Sequence, residues 1–95
     1  MKPKGRPKKQ RLIKAEPKIE LFSPRGKPGR PDEVQLTLDE FEAIRLADFQ
    51  GLSQKEAANS MEISQQTFSR IIRKAQKTLA DALISGKIIK INPQE

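Results

Sequence analysis

The 95-residue sequence contains no cysteine, histidine, tyrosine or tryptophan. Without Cys and His, the chain lacks a thiol nucleophile, a disulfide, an imidazole base and the usual ligands of a zinc site. We therefore expect no enzymatic activity, no metal and no cofactor. Four phenylalanines are the only aromatic residues, so side chains on which RNA bases could stack are scarce.

Long apolar runs are missing as well. No stretch approaches the roughly 20 apolar residues of a membrane-spanning helix. The basic N-terminus is not followed by the apolar segment of a signal peptide. These absences favour a cytoplasmic protein with no membrane partner, and the length of 95 residues allows one small domain with a thin core.

Positive charge is concentrated in the first third of the chain. Residues 1–31 contain eleven Lys or Arg against two Glu, whereas residues 32–95 contain eight Lys or Arg against ten Asp or Glu. Such an asymmetry is typical of proteins whose partner is an anionic polymer, most often nucleic acid. We predict a basic arm and Pro/Gly-rich linker over residues 1–31, partly disordered, and a folded domain over residues 32–95.

The N-terminal arm has too few apolar residues to form a packed structure of its own. Its Gly-Arg-Pro triplet at residues 5–7 resembles the core of an AT-hook, in which an extended arginine enters the minor groove. The alternative interpretation is a solubilising tail. The candidate contacts to the minor groove or to phosphates are Lys4, Arg6, Lys8, Lys9 and Arg11.

Three hydroxyl residues mark the starts of three predicted helices. Thr37 and Ser53 are each followed three positions later by Glu, the pattern of a capping box, and Ser64 can cap the third helix. Gly51 and Gly86 have the position of C-terminal stop signals. The second and third helices therefore start only eleven residues apart, the spacing of a helix-turn-helix unit.

The third helix, predicted from Gln65 to about Ile84, has two distinct faces. The apolar face spans roughly 120° and is predicted to be core. The opposite face spans roughly 60° and carries amide and cationic side chains, which could also be an ordinary solvated face. The predicted core residues are Phe68, Ile71, Ile72, Ala75, Leu79, Ala82 and Leu83, and those of the opposite face are Gln66, Arg70, Arg73 and Lys77.

The segments EFEAIRLAD and GLSQKEAA, with the helices that follow them, resemble a bacterial and archaeal family known as domain of unknown function 134. Its helix-turn-helix is similar to region four of sigma factors, and the resemblance implies a DNA-binding fold. The turn residue before Ile63 is commonly Gly in such units, but here it is Glu62. A non-glycine residue in a left-handed conformation costs about 1 kcal/mol, so we expect the turn to be either slightly strained or differently shaped.

By this similarity, the residues that enter the major groove lie at the start of the third helix. Gln can pair with adenine and Arg with guanine, which agrees with that role. Cations further along, and the start of the preceding helix, would meet phosphates. The candidate base-reading residues are Gln65, Gln66, Ser69 and Arg70, and the candidate phosphate contacts are Gln54, Lys55, Arg73, Lys74 and Lys77.

Overall, we predict a mainly α fold, a three-helix helix-turn-helix bundle with a flexible basic arm and short strands near both ends. The apolar segment at residues 87–91 is expected to pair with residues 12–13, with residues 19–22 or with a second copy of the chain. The acidic residues of the first helix, Asp39, Glu40, Glu42 and Asp48, are interpreted as capping and solvated groups rather than as a catalytic or metal site.

The leading functional hypothesis is sequence-specific binding of double-stranded DNA in transcription regulation. A protein-interaction module that docks on a larger partner such as RNA polymerase is one alternative, and non-specific DNA binding is another. The apolar C-terminal segment and Ile84, on the polar side of the third helix, leave room for a homodimer that reads two half-sites.

Overall fold

The structure, a computed structural model, describes residues 11–26, 29 and 31–92. Three helices and a small three-stranded sheet confirm the predicted mainly α fold with short strands. In chain order, the elements are β1 (Leu21–Phe22), β2 (Glu33–Thr37), α1 (Leu38–Ile44), which continues as a π-helical turn (Arg45–Phe49), α2 (Gln54–Met61), α3 (Gln65–Ser85) and β3 (Ile88–Asn92).

All three predicted helix starts are confirmed by their hydrogen bonds. The Thr37 hydroxyl accepts from the Glu40 N–H at 3.3 Å, and the Glu40 carboxylate accepts from the Thr37 N–H at 3.0 Å. Ser53 forms the same reciprocal pair with the Glu three positions on. Ser64 accepts the N–H of Thr67 at 3.0 Å. Each cap satisfies a backbone donor that a helix N-terminus otherwise leaves without a partner.

The helix ends also follow the sequence signals. Gly51, just beyond the π-helical turn, has a φ of 77°, and Gly86, which caps α3, has a φ of 69°. Glu62, between α2 and α3, has a φ of 58° and a ψ of 44°. Of the two outcomes that the sequence left open for this turn, the structure has the strained one: Glu62 adopts a left-handed backbone conformation that normally favours glycine.

The core consists of two adjoining clusters, each of which includes residues of α3. The larger cluster fills the space between α1, α2 and the first half of α3, around the fully buried Phe68 and Met61. The smaller cluster joins α3 to the sheet through Leu36, Ala75 and Ile91. The N-terminal half of α3 is thus the axis of the molecule, because both clusters contact it.

The sheet joins the segments that precede and follow the three helices, since β1 and β2 come before α1 and β3 comes after α3. Its strand order is β1-β3-β2. β3 pairs antiparallel with β1 and parallel with β2, with Leu21 opposite Lys90 and Glu33 opposite Ile88. Of the pairings that the sequence left open, the structure has the one with residues 19–22. The parallel partner β2 was not foreseen.

Leu83, which the sequence predicts to be core, is exposed, and so is the apolar Phe49. Leu83 is 81% exposed and Phe49 is 84% exposed. The prediction for Leu83 was wrong because the helical periodicity describes α3 alone, whereas burial also requires a neighbouring element at that height. Phe49 lies at the end of the π-helical turn, where the wider turn changes the face that the residue presents. Ile84 is also exposed, as its position on the polar side indicated.

Residues before and after the predicted boundary at residue 31, between the linker and the folded domain, contact each other. The Leu12 N–H donates to the carbonyl of Met61, Ile13 packs against the larger cluster, and β1 lies in the sheet. Within the described residues, no helix is both long enough and apolar enough to cross a membrane.

Candidate nucleic-acid interface

Helices α2 and α3 are joined by the three-residue turn at residues 62–64. The Ile63 N–H donates to the Ala58 carbonyl at 3.1 Å, which closes the end of α2. Ala57, Ala58 and Met61 are 0%, 2% and 0% exposed and belong to the cluster that contains Phe68. The small alanines allow close approach of the two helices, so the turn and the core together fix the orientation of α3.

The start of α3 presents polar side chains to solvent. Gln65, Gln66 and Arg70 are exposed and Ser69 is partly exposed, while Phe68 between them is fully buried. The four candidate base-reading residues therefore lie on the outer side of a segment that the core holds in place. Side chains at these positions can carry amide and guanidinium groups toward a ligand without disturbing the packing.

The cationic side chains further along α3 are also exposed. In the part of the chain that the structure describes, neither Arg70 nor Arg73 forms a salt bridge. Lys77 is exposed. The hydrogen bond that Lys87 donates to Asp81 lowers the pKa of that carboxyl, and the positive charge of Lys77 adds a smaller effect in the same direction. The two arginines are thus available to anionic groups such as phosphates.

Lys74 differs from its neighbours because its Nζ lies 3.3 Å from the Glu40 Oε2. The Lys74 side chain remains 71% exposed, whereas that of Glu40 is 6% exposed. The structure therefore places this candidate phosphate contact against the start of α1. The remaining candidates, Gln54 and Lys55, are exposed in the first turn of α2.

The whole chain matches a known family. Residues 1–95 match the model of the family described as "Protein of unknown function DUF134". The chain belongs to this family. A relative named UPF0251 protein from Prosthecochloris aestuarii is 51% identical over 92% of this chain and 57% of its own length. The corresponding relative from Desulfosudis oleivorans is 53% identical over 90% of this chain and 63% of its own length.

An archaeal relative with the same name, from Methanococcus vannielii, is 49% identical over 93% of this chain and 68% of its own length. The chain thus spans about three fifths of the first two curated relatives and somewhat more of the third. No solved structure matches the chain. The family resemblance seen in the sequence is confirmed, and the names of these relatives describe no activity.

The five candidate residues of the arm divide into two groups in this family member. Lys4, Arg6, Lys8 and Lys9 lie outside the described residues. Arg11 is the first described residue, and its Nε lies 3.5 Å from the Asp39 Oδ2. Its side chain is 28% exposed, so Arg11 is held against the start of α1 rather than projecting freely.

Glu42 was interpreted from the sequence as a solvated group, but it is 0% exposed. The Arg45 Nε and Nη2 each donate to its carboxylate at 2.8 Å, and the Lys14 N–H donates to Oε2 at 3.0 Å. Burial alone would raise the pKa of Glu42, but the hydrogen bonds from Arg45 and Lys14 outweigh it, and the pKa lies below its ordinary value. The carboxylate is therefore kept ionised inside the molecule.

One sequence signal could have identified Glu42. It lies four residues after Leu38 and four before Leu46, both of which pack in the core clusters. Positions four apart share a helix face, so an acidic residue between two core leucines indicates a buried carboxylate that needs a partner. Arg45, three residues later, is that partner.

Proposed function

We propose that this chain is a sequence-specific double-stranded DNA-binding protein that regulates transcription, with the start of α3 lying in the major groove. The observation that carries the proposal is the combination of a tightly packed α2–turn–α3 unit with an outward row of Gln65, Gln66 and Arg70. A helix of this kind is rigid where it meets the core and polar where it meets the ligand. These are the requirements of base readout.

The chemistry of this row matches the edges of base pairs. A glutamine amide can donate to adenine N7 and accept from adenine N6, and an arginine can donate to guanine N7 and O6. Each such two-point contact discriminates against a wrong base by about 1 to 3 kcal/mol. Ser69 is partly exposed beside Arg70 and has a hydroxyl that can pair with several bases.

Phosphate contacts would come from both ends of this surface. Arg73 and Lys77 lie one and two turns beyond Arg70 on α3, while Gln54 and Lys55 lie at the start of α2. Contacts of this type set the position of the protein on the duplex and supply most of the affinity. The basic N-terminal arm adds further charge for phosphates or for the minor groove.

The test is a selection of bound fragments from random double-stranded DNA at about 150 mM salt, where non-specific binding to phosphates is already weak. An enriched motif is the expected result, and a palindromic motif would in addition indicate a dimer. Bound fragments without enrichment would reduce the function to non-specific DNA binding. Failure to bind any fragment would refute the proposal.

A matched pair of variants sharpens the selection. Arg70→Ala removes a cation from the proposed reading surface, whereas Lys90→Ala removes one from an exposed position on the central strand β3. We expect Arg70→Ala to relax the preference at one base pair and Lys90→Ala to leave the enriched motif unchanged. Equal effects of the two variants would show that only total charge matters.

A second candidate function is a protein-interaction module that docks on a larger partner such as RNA polymerase. It is favoured by the exposed apolar side chains at the far end of α3, where Phe22, Leu83 and Leu79 line an open groove. This function predicts that Leu83→Ser abolishes docking on the partner, and any effect in the cell that depends on docking, while the affinity for DNA is unchanged. The same variant tests a homodimer through its sedimentation behaviour.

A further inference from the structure

Helix α1 and the π-helical turn that continues it contact α3 at two polar points. The Lys74 Nζ lies 3.3 Å from the Glu40 Oε2, and the Gln76 amide donates to the Asp48 carboxylate at 3.1 Å. At about 100° per residue, Lys74 and Gln76 lie on opposite flanks of the outer stripe of α3, roughly 70° and 90° from its centre. This stripe consists of Gln66, Arg70, Arg73 and Lys77. An acidic side chain thus borders each side of the surface proposed to bind DNA.

The two acidic side chains differ in burial and in partner. The Glu40 side chain is 6% exposed, and its Oε1 accepts the Thr37 N–H at 3.0 Å in the capping box. The start of α1 therefore fixes the position of this carboxylate. Asp48 is exposed, and its partner Gln76 is uncharged. Of the two, Glu40 is the one that holds a cation of α3.

Lys74 continues a row of side chains along α3. Gln66, Arg70 and Lys74 are spaced four residues apart, and side chains at this spacing are neighbours on a helix. Lys74 lies roughly 40° around the helix from Arg70 and about one turn further on. It is thus a cation next to a proposed base-reading residue. We expect a phosphate that flanks the base pair contacted by Arg70 to lie within its reach.

The Lys74 ammonium can contact Glu40 and a phosphate at the same time. A lysine ammonium has three N–H donors and no acceptor. The contact with the Glu40 Oε2 uses one donor, and the Lys74 side chain remains 71% exposed. A further donor is therefore available to an anion from solvent, and phosphate binding does not require the ion pair to break.

Glu40 has two opposing effects on the binding of a phosphate by Lys74. Fixing a free lysine side chain lowers affinity by up to about thirtyfold through lost conformational entropy, and Glu40 has already removed part of this freedom. The carboxylate also repels the phosphate. For charges roughly 6 Å apart in physiological salt, repulsion lowers affinity by about twofold at the dielectric constant of water and about tenfold at an effective value of about 20. The ordering effect is the larger one, so Glu40 should strengthen phosphate binding by about threefold.

We propose that Glu40 is a positioning residue, which holds the Lys74 ammonium beside Arg70 for contact with a DNA phosphate. This proposal rests on the proposed function and adds a residue of α1 to the interface, although Glu40 itself does not contact the DNA. It predicts an effect of the opposite sign to simple electrostatics. Removal of an acidic group near a DNA-binding surface ordinarily strengthens binding, because the field becomes more positive.

Two conservative variants on opposite flanks of α3 form a matched pair. Glu40→Gln removes a negative charge but keeps a side-chain oxygen for the Thr37 N–H, since Gln also serves in capping boxes. Asp48→Asn removes a negative charge on the other flank and keeps an oxygen for Gln76. The measurement is the affinity of each full-length variant for a mixed-sequence duplex of about 20 base pairs at about 100 mM salt.

The two variants should change the affinity in opposite directions. We expect Glu40→Gln to bind the duplex about threefold more weakly than the wild type, because Lys74 is no longer held. We expect Asp48→Asn to bind equally well or up to about twofold more tightly, because repulsion is reduced. Glu40→Gln binding that equals or exceeds that of the wild type would overturn the proposal.

A double-mutant cycle shows whether Glu40 acts through Lys74. In a Lys74→Ala background there is no cation to hold, so Glu40→Gln should bind the duplex about twofold more tightly, because only the repulsion is removed. Thermal unfolding confirms that each variant is folded. Weaker binding by Glu40→Gln in this background as well would mean that Glu40 acts through the fold, and would overturn the proposal.

Nuclear magnetic resonance of the lysine side chains tests the positioning without DNA. The order parameter of the Lys74 side-chain end should be higher than that of the exposed Lys77, and the two should become alike in Glu40→Gln. Equal mobility in the wild type would overturn the proposal even if the duplex binds. An ordered Lys74 in a wild type that binds no duplex would instead refute the proposed function, and the role of Glu40 in DNA binding with it.

A second variant keeps the test open if Glu40→Gln does not fold. Glu40→Asp keeps the negative charge, but its side chain is one methylene shorter and is drawn back from Lys74. Positioning is then lost while repulsion is retained, so we expect binding to the duplex at least about threefold weaker than in the wild type. Unchanged affinity in folded Glu40→Asp would show that the charge alone matters, and would overturn the proposal.

Discussion

The two halves of α3 differ in what covers them. The N-terminal half is packed between α1, α2 and the sheet and has polar side chains on its outer side. The C-terminal half has Leu83 and Ile84 exposed at 81% and 83%. One continuous helix thus has a well-packed end, where the proposed ligand binds, and a more lightly packed end, in which Leu79 packs against the smaller cluster and Ala82 is buried. Stability and proposed function are concentrated in the same half.

The largest expected difference between the halves is in core packing. Phe68→Ala should destabilise the protein by about 3 to 5 kcal/mol, since a fully buried aromatic ring would leave a cavity between α1, α2 and α3. Leu83→Ala, in the exposed half, should change stability by less than about 0.5 kcal/mol. Urea denaturation of both variants provides the measurement. Similar losses would mean that Leu83 is covered in solution, for example by a second chain.

The next largest effect concerns the ion pair of the buried Glu42 with Arg45, beside the well-packed N-terminal half of α3. Glu42→Gln removes the charge that Arg45 and the Lys14 N–H contact, and we expect a loss of about 2 to 4 kcal/mol at neutral pH. In the folded protein, the pKa of Glu42 is below its ordinary value of 4.5. The ionised Glu42 therefore contributes fully to the free energy of unfolding above pH 4.5, and this contribution is lost as the pH falls through the lowered pKa. Wild-type stability should therefore decrease in acid more steeply than that of Glu42→Gln.

The matched control for this prediction is the exposed pair at the other end of α3. The Lys87 Nζ lies 2.9 Å from the Asp81 Oδ2, and the hydrogen bond from Lys87 lowers the pKa of that carboxyl. We expect Asp81→Asn to shift the unfolding temperature much less than Glu42→Gln, because surface pairs contribute little. Parallel pH profiles for Glu42→Gln and the wild type would contradict the assignment.

Measurements of DNA binding should distinguish the roles of two cations in α3. Arg70→Ala should cost about 1 to 3 kcal/mol on the enriched duplex and relax preference at one base pair. Lys77→Ala should weaken all duplexes alike and lower the slope of log K against log salt by about 1. Fluorescence anisotropy titrations at several salt concentrations measure both quantities. If Arg70→Ala lowers only the non-specific affinity, base readout by Arg70 is ruled out.

The smallest expected effect lies at the two left-handed residues that flank α3. Gly86 at its end has no side chain to strain, whereas Glu62 before its start does. Glu62→Gly should stabilise the protein by about 0.5 to 1 kcal/mol, since the strain is larger than the entropy that glycine adds to the unfolded chain. Thermal unfolding tests this prediction, with Asn59→Gly at an exposed position of α2 as a control that should be destabilised by about 0.3 kcal/mol.

Local signals in the sequence predicted the local structure well. The caps at Thr37, Ser53 and Ser64 are short-range hydrogen bonds between residues three apart, so their spacing in the chain is sufficient to predict them. The same holds for the outward position of Gln66 and Arg70. These features depend on helix geometry, which the sequence determines without reference to distant segments.

Features that depend on distant contacts were missed. Leu83 is exposed although it lies on the apolar face of α3. On that side of α3, the π-helical turn that follows α1 contacts Gln76, whose amide donates to Asp48 at 3.1 Å. About 10 Å of helix separate Gln76 from Leu83, and helical periodicity contains no information about where α1 ends. Likewise, the hydrogen bond from Lys14 to Glu42 joins residues 28 positions apart, and no local pattern specifies such a pair.

The parallel pairing of β2 with β3 has a consequence for the order of folding. Glu33 pairs with Ile88, so these strands can meet only after a loop of about 55 residues has closed. Closure of such a loop costs entropy before any strand contact is gained, whereas capped helices form from neighbouring residues. The α2–turn–α3 unit should therefore assemble first and bring the strands together. The sheet would then form last and stabilise a helical unit that has already folded.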